Sequence, residues 1–132
     1  MLFGNKELIF DKPLVMGIIN ITTDSFSDGG KFISNNLTSE FDLRKIIKEI
    51  DFLEKSGASF IDIGAESTRP GYSPISTQEE LDRLIPVLEL ISETKSIISI
   101  DTRKPEVMKE VLKFPIGLIN DVSGLIQFQE RN

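Results

Sequence analysis

Short apolar runs rich in Ile and Val alternate along the chain with segments whose apolar residues recur every three to four positions. The runs are Pro13–Ile21 (PLVMGIINI), Ser59–Ala65 (SFIDIGA), Ser96–Ile100 (SIISI) and Ile116–Val122 (IGLINDV). Near-continuous hydrophobicity over so few residues marks strands of a buried parallel sheet. A further short strand is expected ahead of them at Glu7–Phe10. Between the first two runs, Leu43, Ile46, Ile47, Ile50 and Leu53 have helical spacing, with Ser39 as N-cap and Gly57 as terminator. Between the second and third, Leu81, Leu84, Ile85, Leu88 and Ile91 repeat the pattern. Thr77 and Glu80 form a capping box there, and Pro86 is expected to bend the helix or remove one of its hydrogen bonds. Between the third and fourth, Val107, Met108, Val111 and Leu112 fall on one face, and Pro105 suits a first helical turn.

The order is therefore β-α-β-α-β-α-β, and helical connections between strands imply parallel pairing with right-handed crossovers. Two α/β architectures fit: a small doubly wound sheet, or part of a (βα)8 TIM barrel, which needs ~250 residues in full. After Gly124 the sequence reads LIQFQERN, with no helical pattern to cover the fourth strand. The barrel portion is therefore expected, roughly strands one to four with three intervening helices. Residues 1–132 are read as a single domain.

Composition narrows the chemistry. The 132 residues include no Cys and no His, which excludes zinc fingers, thiol nucleophiles and a Ser-His-Asp triad within the chain. Fifteen basic against 21 acidic residues give a net charge of −6, which argues against nucleic acid or anionic lipid as the main partner. The longest apolar run, Leu14–Ile21, falls short of the ~20 residues of a membrane span. The opening MLFGNKELIFDKP has no basic region followed by an apolar one, so no secretory signal is expected and a cytoplasmic location is.

Each strand run closes on polar residues: Asn20; Glu66, Ser67 and Thr68; Asp101 and Thr102; Asn120 and Asp121. In parallel α/β folds the carboxyl ends of the strands share one face, where ligands bind. Any one of these residues can serve only to cap a helix or open a turn. Asp62 and Asn120 resist that reading, because they lie inside apolar runs, where an unpartnered polar group costs ~1–3 kcal/mol. The connection after Asn20, ITTDSFSDGGKFISNN, is long, and loops beyond ~12–15 residues are commonly functional or disordered. In the loop after Glu66, STRPGYSPIS, Arg69 is a candidate anion partner, with Arg103 a second. Spacing alone names no ligand.

Four segments in order, MGIINITTDSFSDGG (Met16–Gly30), DIGAESTRPG (Asp62–Gly71), SIDTRKPEV (Ser99–Val107) and INDVSG (Ile119–Gly124), resemble the dihydropteroate synthase family of folate biosynthesis. The resemblance spans roughly Lys12 to Leu125. It implies a (βα)8 barrel that joins 6-hydroxymethyl-7,8-dihydropterin pyrophosphate to p-aminobenzoate with Mg2+. It also implies that Asn20 binds the metal, that Thr68 contacts the pterin pyrophosphate, and that Asp101 and Asn120 hydrogen-bond the pterin ring. Asp24, Phe26, Ser27, Arg69 and Pro70 correspond to two loops that close over the substrates and help form the p-aminobenzoate site. The residue types suit the task, since a pterin edge sets donors beside acceptors, a carboxylate accepts, and an amide does both.

Three departures from the family stand out. Thr23 replaces a usual Pro, Ala65 replaces a usual Gly, and the second half of the barrel, with its further pterin-binding Asp, its Lys and its pyrophosphate-holding Arg and His, has no counterpart. The chain is accordingly expected to be an N-terminal half-barrel, with open sheet edges that favour a homo-oligomer or other edge association. Two other functions are consistent with the fold: a non-catalytic pterin-binding remnant, and a folate-binding methyltransferase barrel.

Overall fold

The structure, a computed structural model, describes residues 1–21, 40–67 and 70–124. An antiparallel hairpin of β1 (Leu2–Phe3) and β2 (Lys6–Glu7) precedes β3 (Met16–Asn20), α1 (Glu40–Lys55), β4 (Phe60–Gly64), α2 (Thr77–Leu90), β5 (Ile97–Asp101), α3 (Pro105–Val111) and β6 (Leu118–Asn120). The four long runs are the four strands of one sheet, in the order β3-β4-β5-β6 and parallel throughout.

That strand order decides between the two architectures. A doubly wound sheet reverses its order at a switch point and carries helices on both faces. Each strand of this chain lies beside the next in sequence, and α1, α2 and α3 all pack on one face. This is the arrangement of consecutive barrel steps. On that face Ile19, Ile61, Ile63, Ile98 and Ile100 meet Ile46 and Ile50 of α1, Leu84, Val87 and Leu88 of α2, and Val107 and Val111 of α3. Burying each such side chain contributes ~1.5–3 kcal/mol relative to exposing it. Gly17 lets α1 approach β3, since a Cβ there would lie 2.8 Å from a methyl of Leu53.

Among the described residues no helix covers the opposite face. Alternation along β3 puts Met16, Ile18 and Asn20 on it, and Ile18 is 64% exposed. Its amino end is closed by the hairpin. Phe3 stands edge-on to Phe60 with ring centroids 5.1 Å apart, and the Lys6 ammonium donates to the Ser96 carbonyl at 2.7 Å.

Several expectations are corrected. The single strand at Glu7–Phe10 is instead the second arm of a hairpin ending at Glu7, because Lys6 and Phe3 anchor the turn from below the sheet. The α2 cap is Ser76, whose hydroxyl accepts from the Glu79 amide at 3.1 Å, and Thr77 is the first helical residue. The buried stripe of α2 is Glu80, Arg83, Leu84, Val87 and Leu88, rotated from the purely apolar one because two charged side chains turn inward to partners. Leu112, past the end of α3, is exposed rather than buried. Gly57 does end α1: at φ 100° it donates to the Glu54 carbonyl while Ala58 donates to that of Leu53, the paired bonds of a glycine C-terminal cap. The expected cap at Ser39 and the long loop after Ile21 lie outside the described residues.

The hairpin seat gives a stability test. A Cβ on Gly117 would lie 2.6 Å from Ile97 Cγ2 and 2.9 Å from Phe3 Cβ. Gly117→Ala should lower the urea-unfolding free energy by about 1–3 kcal/mol. The double change with Ile97→Ala, which removes the Cγ2 methyl, should cost less than the sum of the two single changes, and strict additivity would contradict the packing.

Candidate functional site at the carboxyl ends of the strands

The register of the sheet builds the site. Asn20 pairs with Gly64, Gly64 with Asp101, and Asp101 with Asn120. In-register neighbours in a parallel sheet point to the same side, with strands ~4.8 Å apart. One transverse row at the strand ends therefore carries an amide, a gap, a carboxylate and an amide, all on the face without helices. The gap is functional geometry. A Cβ on Gly64 would lie 3.3 Å from Asp101 Cβ and 3.4 Å from its Oδ2, so the glycine leaves the space over which this carboxylate lies.

Two residues below, the row Ile18, Asp62, Ser99, Leu118 lies on the same face. Asp62 is buried, accepting from the Ser99 hydroxyl at 2.6 Å and from Asn120 Nδ2 at 3.1 Å. The polar group inside the apolar run thus has its partners. Asp101 is half-buried above it. Burial, followed by the negative charges of Asp62, Glu80, Asp121 and Glu66, pushes its carboxyl up to about 6.

Cations lie around this row rather than in it. Glu66 accepts from Arg103 Nε at 3.0 Å, Lys104 Nζ at 2.8 Å and the Ile75 amide at 3.0 Å. Burial works against its charge, yet these hydrogen bonds and the two cations hold the carboxyl below its usual range. Lys104 also donates to buried Glu80 at 2.8 Å and to the Ile75 carbonyl at 2.7 Å. Arg83, buried in α2, donates to the Ala65 carbonyl at 2.9 Å. These contacts fasten the segment after β4 to α2 and to the start of α3. Glu66 thus acts as an internal strap, and Arg103 reaches it through Nε as an ion pair.

Of the expected site residues, Asn20 is exposed at the end of β3, Asp101 and Asn120 are half-buried side by side, and Pro70 is exposed in the turn before Gly71. Asp24, Phe26, Ser27, Thr68 and Arg69 lie outside the described residues. A hollow of about 320 Å³, lined by Glu66, Ser67, Tyr72, Pro74, Arg103 and Val122, opens one step further out. Of its lining, Glu66, Arg103 and Val122 lie two residues beyond the ends of β4, β5 and β6, so it adjoins the row without including it. Among the described residues no group of three or more Asp, Glu, His or Cys could hold a metal by itself. An exposed Asn20 suits an ion that takes one protein oxygen and finds the rest in water and ligand phosphates.

Sequence reasoning missed the roles of Arg83 and Lys104. A signal existed for the first: Glu80, Arg83 and Val87 follow the i, i+3, i+7 spacing of a helix face turned to the core.

Consecutive parallel βα steps, with polar side chains in one row at the strand ends, define a partial (βα)8 barrel. The chain belongs to the pterin-binding enzyme family, whose pattern matches residues 16–132. It is 46% identical over 120 residues to the dihydropteroate synthase of Escherichia coli K12, covering 90% of this chain and 40% of that protein. It superposes on the Xanthomonas albilineans dihydropteroate synthase solved with 4-aminobenzoic acid with a TM-score of 0.79 and 42% identity, over 96% of this chain and 45% of that one. The Burkholderia cenocepacia dihydropteroate synthase complexed with 7,8-dihydropteroate gives 0.74 and 36%, over 93% of this chain and 38% of that one. The chain thus spans under half the length of these relatives.

The electrostatics give a titration test. The folded Asp101 carboxyl binds its proton more tightly than an ordinary carboxyl at 3.8, so this group's contribution to stability falls as pH rises from about 4 through about 6. Carbon-detected NMR should place its midpoint near 6. Asp62→Asn should move that midpoint down, and an unmoved midpoint would show that the Asp62 charge does not contribute to the shift.

Proposed function

We propose that this chain is the pterin-recognising part of a dihydropteroate synthase. Its substrates are 6-hydroxymethyl-7,8-dihydropterin pyrophosphate and p-aminobenzoate. The amine nitrogen attacks the methylene carbon, the carbon–oxygen bond to pyrophosphate breaks with its electron pair leaving on the pyrophosphate, and the nitrogen releases a proton. The observation that carries this reading is the adjacent Asp101 and Asn120 at the strand ends of a pterin-binding family member. The 4-aminobenzoic acid of the Xanthomonas structure and the 7,8-dihydropteroate of the Burkholderia complex support it.

In this reading Asp101 accepts from the amino-pyrimidinone N–H groups and Asn120 bonds beside it. Asn20 would give one oxygen to Mg2+, whose charge would offset that of the diphosphate. Thr68 contacts the pyrophosphate, and Asp24, Phe26, Ser27, Arg69 and Pro70 form the covering loops and the p-aminobenzoate site. Among the described residues the outer edges of β3 and β6 carry no partner strand, and Ile18 of β3 is exposed. We therefore infer that further strands, from the same polypeptide or a second one, complete the barrel, and that the chain alone binds pterin without turnover.

Isothermal calorimetry tests this. The chain should bind the dihydropterin pyrophosphate, and Asp101→Asn or Asn120→Ala should weaken binding roughly tenfold or more, the scale of one unmade buried hydrogen bond. Affinity should decline as pH drops through about 6, where Asp101 takes up its proton and loses acceptor character. No binding by the unaltered chain would refute the reading. Light scattering on the eluting protein should give a mass above 14.8 kDa, and a clean monomer would contradict edge association.

A further inference from the structure

The buried Asp62 carboxylate has a use that its own position does not suggest. It is 5% exposed, too deep beneath the strand-end row to be a primary contact for a ligand lying on that row. An ionised carboxylate only accepts hydrogen bonds. It therefore takes the nitrogen side of the Asn120 amide, as the 3.1 Å contact from Nδ2 shows, and would repel the oxygen side. Ser99, fully buried and directly opposite on β5, donates its hydroxyl at 2.6 Å and holds the carboxylate in place. The Asn120 amide is planar, with its oxygen and nitrogen on opposite prongs of a fork. Fixing the nitrogen inward leaves the oxygen as the atom offered next to Asp101, its in-register neighbour.

We propose that Asp62 is a positioning residue that sets pterin specificity by fixing the Asn120 amide so that the row presents acceptors on both side chains. Such a row matches a ligand edge with adjacent N–H donors, the 2-amino-4-oxo edge of a pterin. It disfavours the otherwise similar 2,4-dioxo pteridine, whose 2-carbonyl would oppose an oxygen. A freely turning amide could not discriminate, because it would offer nitrogen to one and oxygen to the other. The inference rests on the pterin reading above for its ligand, but not for the amide orientation.

The test has two parts on the full chain. In the unliganded protein, one Nδ2 proton of Asn120 should be shifted downfield and protected from exchange in the nitrogen–proton spectrum. An ordinary, freely exchanging side-chain amide would overturn the proposal and needs no variant to be folded. In binding assays with a 2-amino-4-oxo and a 2,4-dioxo pteridine, the unaltered chain should prefer the first. Asp62→Asn, whose neutral amide tolerates either orientation of Asn120, should shrink that preference by roughly tenfold or more. A general weakening that leaves the preference intact would assign Asp62 a structural role only and overturn the proposal. Binding of neither pteridine by the unaltered chain would refute the pterin reading, and with it the specificity role, whatever the amide signal.

Discussion

The in-register pairing of four parallel strands is the constraint on which the rest of the molecule depends. Because Asn20, Gly64, Asp101 and Asn120 occupy one transverse row, three side chains distant in sequence are delivered to one mouth with no loop needed to aim them. A slip of one residue toward its carboxyl end in β3, β5 or β6 would send its polar end group into the helix-covered face and bring an isoleucine into the mouth. The Ile-rich alternate positions guard against that slip. Ile19, Ile63 and Ile100 are almost fully buried against the helices, so the hydrophobic core holds the chemical row in register.

The same mouth concentrates negative charge, and the structure manages it with internal cations. Asp62, Asp101, Glu66 and Glu80 stand close enough for each of the other three to raise the affinity of Asp101 for its proton. Lys104 bridges Glu66 and Glu80, and Arg103 takes the remaining Glu66 oxygen. Neither cation reaches Asp101 with a hydrogen bond, so its carboxyl retains acceptor capacity for a ligand. A substrate edge with N–H donors would supply what the protein withholds.

Much of this was legible in the sequence, for identifiable reasons. Runs such as SFIDIGA and SIISI declare strands because they are short, rich in β-branched residues and flanked by turn formers, and α1 repeats its apolar face cleanly from Leu43 to Leu53. Asn20, Asp101 and Asn120 were visible as polar endings of those runs. Strand order was not, since both architectures share the same alternation of elements. The partnership of Asp62 with Asn120 was also hidden: the two residues are 58 apart, and only the register that sets Ser99 opposite Asp62 brings the three together. Glu80 reads in the sequence as half of a capping box, and its spacing with Arg83 and Val87 marks an inward face without naming the partners, Lys104 and the Ala65 carbonyl, across the fold. The Leu2–Glu7 hairpin leaves no mark in the sequence, because so short a pair has no period to detect.

The most direct measurement is a backbone NMR titration of the chain with 7,8-dihydropterin. The account predicts that the largest shifts fall on Gly64, Asp101, Asn120 and their immediate neighbours at the carboxyl ends of the strands. Shifts confined to the outer helix surfaces, around Leu43, Leu81 and Ile85, would contradict it.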